Sequence, residues 1–232
     1  MAGNILTKAL VRASRLKGSL HQALFHMRYE KGHAEISGFR KEYSVLKQAL
    51  EPAYQDYITS ISTPESAISL ECACLVMFLA RTLKPKVILD MGSGFSSYIF
   101  RLYQKEAGSC EVCSVDDSAH WLENTKAYIS KHGLSIEGLY EWGDFNRKYQ
   151  SMRADLILFD FSTPSTRLAA LPMLIRYCHK DTLICADDVH KTSIREGLEN
   201  FIRLHGLHYM DTASIAKDSY GRYQRILFGF DD

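Results

Sequence analysis

Val87-Ile-Leu-Asp90-Met-Gly92-Ser93-Gly94-Phe-Ser96-Ser97 is the stretch from which the rest of the sequence is read. Three apolar residues with the character of a buried parallel strand end in Asp90. Two glycines one residue apart then turn the chain into a helix whose Tyr98, Ile99, Leu102 and Tyr103 face inward. Lacking side chains, Gly92 and Gly94 let a ligand lie against the backbone N–H groups at the helix start, where an anion or carboxylate is favoured. The stretch alone fits a nucleotide-cofactor loop and an ordinary tight turn equally well, so the downstream residues have to decide.

The chain of 232 residues is long enough for one α/β core carrying a helical appendage. An apolar share of 46% and a charged share of 24% are those of a soluble globular protein. The net charge of +1 argues against the broad basic face of a dedicated nucleic-acid binder, though not against a local basic patch. Cys72–Ala80, the longest uncharged apolar run, is far short of the roughly 20 residues that a bilayer crossing needs. With no secretory signal ahead of them, Cys72, Cys74, Cys110, Cys113, Cys178 and Cys185 read as buried free thiols of a reducing, cytoplasmic compartment.

Residues 1–62 read as an N-terminal helical extension. From Met1 to Arg28 five basic residues (Lys8, Arg12, Arg15, Lys17, Arg28) and no acid accompany an apolar stripe from Ile5 to Met27. Such a segment packs on the core or on a second copy, lies on an anionic membrane, or targets an organelle, in that order of preference. Phe39, Tyr43, Leu46, Leu50, Tyr54 and Ile58 then mark a helical stretch where a lid would sit, with Pro52 expected to split it in two. Thr63-Pro-Glu-Ser66 reads as the start of a helix over Ala67–Leu83, which places a domain boundary near Ser62 and the main domain at 63–232.

Beyond the glycine loop strands and helices alternate, which predicts a doubly wound α/β sheet. The strands are Glu111–Val115, Ile136–Trp142, Leu156–Phe159 and Leu183–Ala186, and a closing antiparallel pair spans Leu207–Ile215 and Tyr223–Phe230. Each of the first five strands is followed at its carboxyl end by an acid or by Gly-Asp: Asp90, Asp116-Asp117, Gly143-Asp144, Asp160 and Asp187-Asp188. That edge of an open sheet is where ligands bind, and acids needed only for solubility would be scattered. Asp116, 22 residues after Gly94, suits a carboxylate on two ribose hydroxyls. Asp144 and Phe145 suit an adenine, one accepting from its amino group and the other covering the ring.

From about Ser62 to Phe230 the chain resembles the class I S-adenosylmethionine-dependent methyltransferases, through Asp90-Met-Gly-Ser-Gly94, Asp116, Gly143-Asp144 and the closing antiparallel pair. Ser96 stands where that family has its third glycine. The resemblance implies a seven-stranded sheet in the order 3-2-1-4-5-7-6 with the last strand antiparallel. It also implies S-adenosylmethionine beside Asp90, Gly92, Ser93, Gly94 and Ser97, with Asp116, Asp117, Gly143, Asp144, Phe145, Asp160 and Ser66 as further cofactor contacts.

Within the family the chain is most similar to small-molecule O-methyltransferases of the catechol and macrolide-sugar types. Those hold a divalent metal between acids after strands four and five, which here are Asp160, Asp187 and Asp188. Mg²⁺ or Ca²⁺ there would lower the pKa of a substrate hydroxyl. No lysine base follows Asp160, so the alternative is a metal-free site in which Asp160 or His190 takes the proton. Arg167 and Lys191 read as solvated loop charges rather than contacts to a substrate anion, and Trp121 and Tyr98 as core.

The function expected is thus methylation of a small-molecule hydroxyl or carboxyl. A non-catalytic protein that keeps the fold is the alternative. A nicotinamide oxidoreductase is disfavoured by Ser97 at the place of a required glycine. Phe161-Ser162 replaces the Asn/Asp-Pro-Pro-Tyr of nucleic-acid amino-methyltransferases.

Overall fold

In this computed structural model residues 38–231 are described, and all but the first four of them belong to one compact unit that begins at Glu42. The basic segment Met1–Arg28, with its expected subunit, membrane or targeting role, lies outside the described residues.

Helix α1 runs unbroken over Phe39–Ser60, so Pro52 does not split it. Leu46 and Leu50 before the proline and Tyr54 and Tyr57 after it bury one continuous stripe. That packing outweighs the lost amide donor and the ring's crowding of the previous turn, together about 3 kcal/mol in a helix interior. Tyr57 rather than Ile58 is the inward residue of the last turn. Helix α2 spans Leu70–Leu83 and starts later than its sequence suggests. Thr63-Pro-Glu-Ser66 is a turn, in which the Ser66 and Ala67 amides donate to the Thr63 carbonyl at 3.1 and 2.9 Å. Ser69 is the true cap, its Oγ accepting from the Cys72 amide at 3.0 Å.

Strands β1 (Val87–Met91), β2 (Glu111–Asp116), β3 (Leu139–Glu141), β4 (Leu156–Phe159), β5 (Leu183–Ala186), β6 (His208–Asp211) and β7 (Arg225–Phe228) form one sheet in the order 3-2-1-4-5-7-6. The order is the expected one, with β7 antiparallel to both β5 and β6 and the remaining pairs parallel. Helices α3 (Phe95–Ala107), α4 (Ala119–Lys131), α5 (Trp142–Lys148), α6 (Pro164–Ala170) and α7 (Thr192–His205) make the connections, with a 3-10 turn over Leu171–Tyr177.

The two-residue period of the strands divides the core. Leu89, Met91, Val115, Ile157 and Phe159 join Phe145, Leu174 and Leu198 in one cluster on the side of α5 to α7. Ile88, Asp90 and Ser114 alternate with them onto the opposite face, and Asp90 stands directly across the ladder from Ser114. The six cysteines are free and buried. Among the described residues no helix is long and apolar enough to cross a membrane.

The third strand is shorter than predicted because α5 begins at Trp142, where Trp142 and Phe145 stack with ring centroids 6.3 Å apart. Gly143 and Asp144 therefore lie in the first turn of a helix rather than in a loop after the strand.

Candidate active site

A cleft of about 470 Å³ opens at the carboxyl edge of the sheet. At one end it is lined by Gly92, Ser93, Asp116, Ser118 and Trp121, and at the other by Asp160, Arg167, Asp187, Asp188, Lys191 and Arg222, with Glu65 and Ser66 on its border.

The glycine loop is shaped by close packing on the neighbouring strand. Gly92 has φ 110°, a value that L side chains rarely adopt, and a Cβ there would collide with the Asp160 carbonyl. Its amide donates to the Val115 carbonyl at 2.8 Å. The loop is then clamped to β2, as the Ser93 amide and Oγ donate to Asp116 Oδ2 at 2.9 and 3.1 Å. Asp116 Oδ1 accepts from the Ser118 amide at 3.0 Å, and burial raises this carboxyl's pKa. Trp121, read from sequence as core, lines the cleft and donates its indole N–H to the Ser93 carbonyl. Tyr98 is core as expected.

Asp90, Gly94 and Ser97 stand behind the loop and do not line the cleft. Asp90 is fully buried; its Oδ2 accepts from Ser97 Oγ at 2.6 Å and from Ser114 Oγ at 2.8 Å. Ser97 Oγ accepts in turn from the Gly94 amide at 3.2 Å. Burial pushes Asp90 up to about 6, against the pull of these hydroxyls and of Arg101. Arg101 is 1% exposed and sends its guanidinium to Ser114 Oγ and to the Ser97, Ser135 and Glu137 carbonyls. The sequence signal for this arginine is its place four residues after Ser97, on the inward face of α3.

Four further expected cofactor contacts are placed elsewhere. Phe145 is 0% exposed and packed among Tyr140, Trp142, Tyr149 and Tyr177, so it is core and has no face free to cover an adenine. Asp144 sits on an exposed helical turn, ion-paired with Arg147, and neither it nor Gly143 lines the cleft. Asp117 is exposed and accepts from Ser162 Oγ at 2.6 Å, tying the loop after β2 to the loop after β4.

At the other end the structure brings together the acids expected to bind a metal, around a cation already present in the chain. Arg167 is 4% exposed, far from the solvated loop charge that its sequence position suggests. Its Nη2 lies 2.6 Å from Asp160 Oδ1 and its Nη1 3.3 Å from Asp188 Oδ2, while Nε donates to the Phe161 carbonyl at 3.1 Å. Lys191 Nζ adds a bond of 2.6 Å to Asp188 Oδ2. Asp187 Oδ1 accepts from the Gln224 side chain at 2.9 Å and from the Asp188 amide at 2.7 Å. Among the described residues no group of three or more His, Cys, Asp or Glu side chains is set to hold a metal ion. The donor set does not fit one: a divalent ion on Asp160 would sit against the guanidinium, and Coulomb repulsion opposes that.

Burial raises Asp160, and Asp187 and Asp188 add to the effect while Arg167 opposes it. Asp188 and Ser162 both have positive φ, 63° and 52°, so two of the strand-end loops carry backbone strain at the cleft. His190 does not line the cleft; its Nδ1 is 3.6 Å from Asp188 Oδ1, beyond hydrogen-bond distance.

Sequence reasoning missed two more residues. Arg222 lines the cleft and ties the turn after α1 to the last hairpin. It donates to the Glu65 and Ala67 carbonyls at 3.2 and 3.0 Å and to Asp218 Oδ2 at 2.6 Å. Tyr57 reaches the glycine loop, its hydroxyl 3.2 Å from where a Cβ on Gly94 would be. Both contacts join segments far apart in sequence, so no local pattern announces them.

The sheet order, the clamped glycine loop and the acids along one edge define the fold of class I S-adenosylmethionine-dependent methyltransferases. Solved structures agree. An S-adenosylhomocysteine-bound methyltransferase of Podospora anserina, PaMTH1, aligns with TM-score 0.59 and 15% identity over 79% of this chain and 88% of its own. The O-methyltransferase TomG of Streptomyces achromogenes, involved in tomaymycin synthesis and solved with S-adenosylmethionine, aligns with TM-score 0.57 and 14% identity over 76% and 87%. An O-methyltransferase of Bacillus cereus in complex with S-adenosylhomocysteine gives TM-score 0.56 and 15% identity over 79% and 89%. No protein-family model matches the sequence, and no curated protein does.

Proposed function

We propose that the protein transfers a methyl group from S-adenosylmethionine to the hydroxyl oxygen of a small, uncharged molecule. The observation that carries this reading is a single cleft joining the Gly92–Ser93–Asp116 clamp to the carboxylate–arginine cluster after β4 and β5. The residues present suit the donor. Asp116 faces the cleft with a buried carboxylate for ribose hydroxyls, Gly92 leaves the loop backbone bare, and Trp121 and Ser66 supply walls. Bound there, S-adenosylmethionine supplies a methyl group carried on a sulfonium.

The chain's own work is to place the nucleophile and take its proton. Asp160 Oδ1 is held by Arg167, so Oδ2 is the oxygen available to receive a hydroxyl proton. A carboxyl whose pKa burial has raised is matched to that task near neutrality. Asp160 serves this role in preference to His190, which stands outside the cleft wall. Charge favours a hydroxyl over a carboxylate acceptor: three acids stand at this end, and Arg167 and Lys191 are already bonded to them.

Calorimetry with S-adenosylhomocysteine tests the donor half. Wild-type protein binds it, and Asp116→Ala loses about tenfold or more in affinity as two ribose hydrogen bonds go. No heat with wild-type protein rejects the reading. A panel of alcohols, phenols and carboxylates with methyl-labelled donor then reads the acceptor, and label appearing only on carboxylates rejects the hydroxyl assignment.

A further inference from the structure

Arg167 occupies the centre of the acceptor end. Four of its five N–H groups are committed: Nε to the Phe161 carbonyl, Nη2 to Asp160 Oδ1 and the Ser162 carbonyl, and Nη1 to Asp188 Oδ2. It thereby crosslinks the two loops that follow β4 and β5, at the point where carboxylates from both converge. Its helix, α6, is capped by Thr163 Oγ1, which accepts from the Thr166 amide at 3.3 Å, so the arginine is launched from a fixed turn. A guanidinium is always charged and planar, and through Nη2 and Nη1 it engages two carboxylates at once, as a bridging metal ion does.

We propose that Arg167 is a built-in substitute for a divalent cation. It holds Asp160 and Asp188 in register and, with Lys191 on Asp188, balances their charge, so the cleft takes its acceptor without a metal ion. In this arrangement the acceptor meets carboxylates held by a guanidinium, which sets the cleft apart from one that chelates vicinal oxygens on a metal. The proposal deepens the methyl-transfer reading of the same cleft and rests on it for the identity of the acceptor, but its charge argument stands on the side chains alone. Arg167 is a positioning residue here, acting on the acceptor through Asp160 and Asp188.

The test is a Mn²⁺ titration of the full chain, followed by calorimetry and by the ion's paramagnetic resonance. Wild-type protein shows no saturable binding below about 1 mM, since a bound arginine already fills the cation position. Arg167→Gln frees the carboxylates and gains Mn²⁺ affinity by about tenfold or more, and adding Asp160→Asn abolishes the gain. Arg167→Lys, which keeps the charge, behaves as wild type. A merely structural arginine would give no such gain of metal binding.

Micromolar Mn²⁺ binding by the wild type, or a folded Arg167→Gln protein with no gain, overturns the proposal. If Arg167→Gln does not fold, the wild type decides by itself. S-Adenosylhomocysteine affinity unchanged by chelator, together with no Mn²⁺ binding, supports the proposal, whereas affinity lost to chelator and restored by Mn²⁺ overturns it. Absence of S-adenosylhomocysteine binding under every condition strikes the methyltransferase reading and leaves the Mn²⁺ result to judge Arg167.

Discussion

Asp90 and Asp160 belong to neighbouring parallel strands, each lies close to a buried arginine, and only Asp160 opens on the cleft. The difference is one of register. Asp90 stands opposite Leu158, inside the ladder, whereas Asp160 lies two residues further along, past the end of β4 and beside the turn at Gly92. Asp90 meets its arginine through the Ser114 hydroxyl, at 2.8 Å from each, and the pair is sealed beneath α3. Asp160 meets Arg167 directly at 2.6 Å and lines the cleft. The same two residue types thus make a structural brace inside the sheet and part of the cleft wall at its rim.

The largest expected effect is at the rim. Asp160→Asn lowers the methyl-transfer rate by about 10²–10⁴-fold, the usual worth of a general base, while S-adenosylhomocysteine affinity holds within about threefold. Comparable loss in both quantities would move Asp160 from the acceptor's end to the donor's and dissolve the contrast with Asp90.

Arg101→Ala attacks the brace instead. It leaves Asp90 and Ser114 buried without their cation, and urea unfolding should show a loss of about 3–5 kcal/mol. Less than about 1 kcal/mol would mean that the serine hydroxyls alone sustain the carboxylate.

The brace also carries a pH signature. Folding raises Asp90 from 3.8 to about 6, so the folded chain holds this proton more tightly than the unfolded one. Its contribution to stability is therefore fully present below about pH 4 and is lost as pH climbs through about 6, a difference on the order of 3 kcal/mol. Asp90→Asn should flatten that slope in denaturant unfolding at pH 4.5, 6 and 7.5. An unchanged slope assigns it to another carboxyl.

How much of this was legible in the sequence follows the same division. The strands and the edge acids were readable because they are local: apolar runs, a Gly-Ser-Gly turn, and acids at the ends of the runs; the strand order came only through the family resemblance that those residues carry. Tertiary packing was not. Pro52 lies inside one helix because residues on both sides of it share a buried stripe. Phe145 follows a Gly-Asp that looks like a cofactor loop, yet packing against four aromatic neighbours draws α5 inward and buries it. Arg167 is seven residues from Asp160 in a loop-like sequence, and nothing short of the fold shows that it pairs with both Asp160 and Asp188.

A third arginine–carboxylate pair supplies the control for both. Arg81, at the end of α2, grips Glu106 of α3 with two bonds, Nε to Oε2 at 3.0 Å and Nη2 to Oε1 at 2.7 Å. Its geometry is better than that of either buried pair, but the side chains are 43% and 46% exposed. Water and salt already screen such charges, so Arg81→Ala should cost no more than about 1 kcal/mol. Raising salt should shrink even that, whereas the cost of Arg101→Ala should persist, because ions do not reach a guanidinium 1% exposed. Equal salt dependence for the two variants would show that burial is not what separates the brace from the surface pair, and the contrast between Asp90 and Asp160 would then need an origin other than their depth in the sheet.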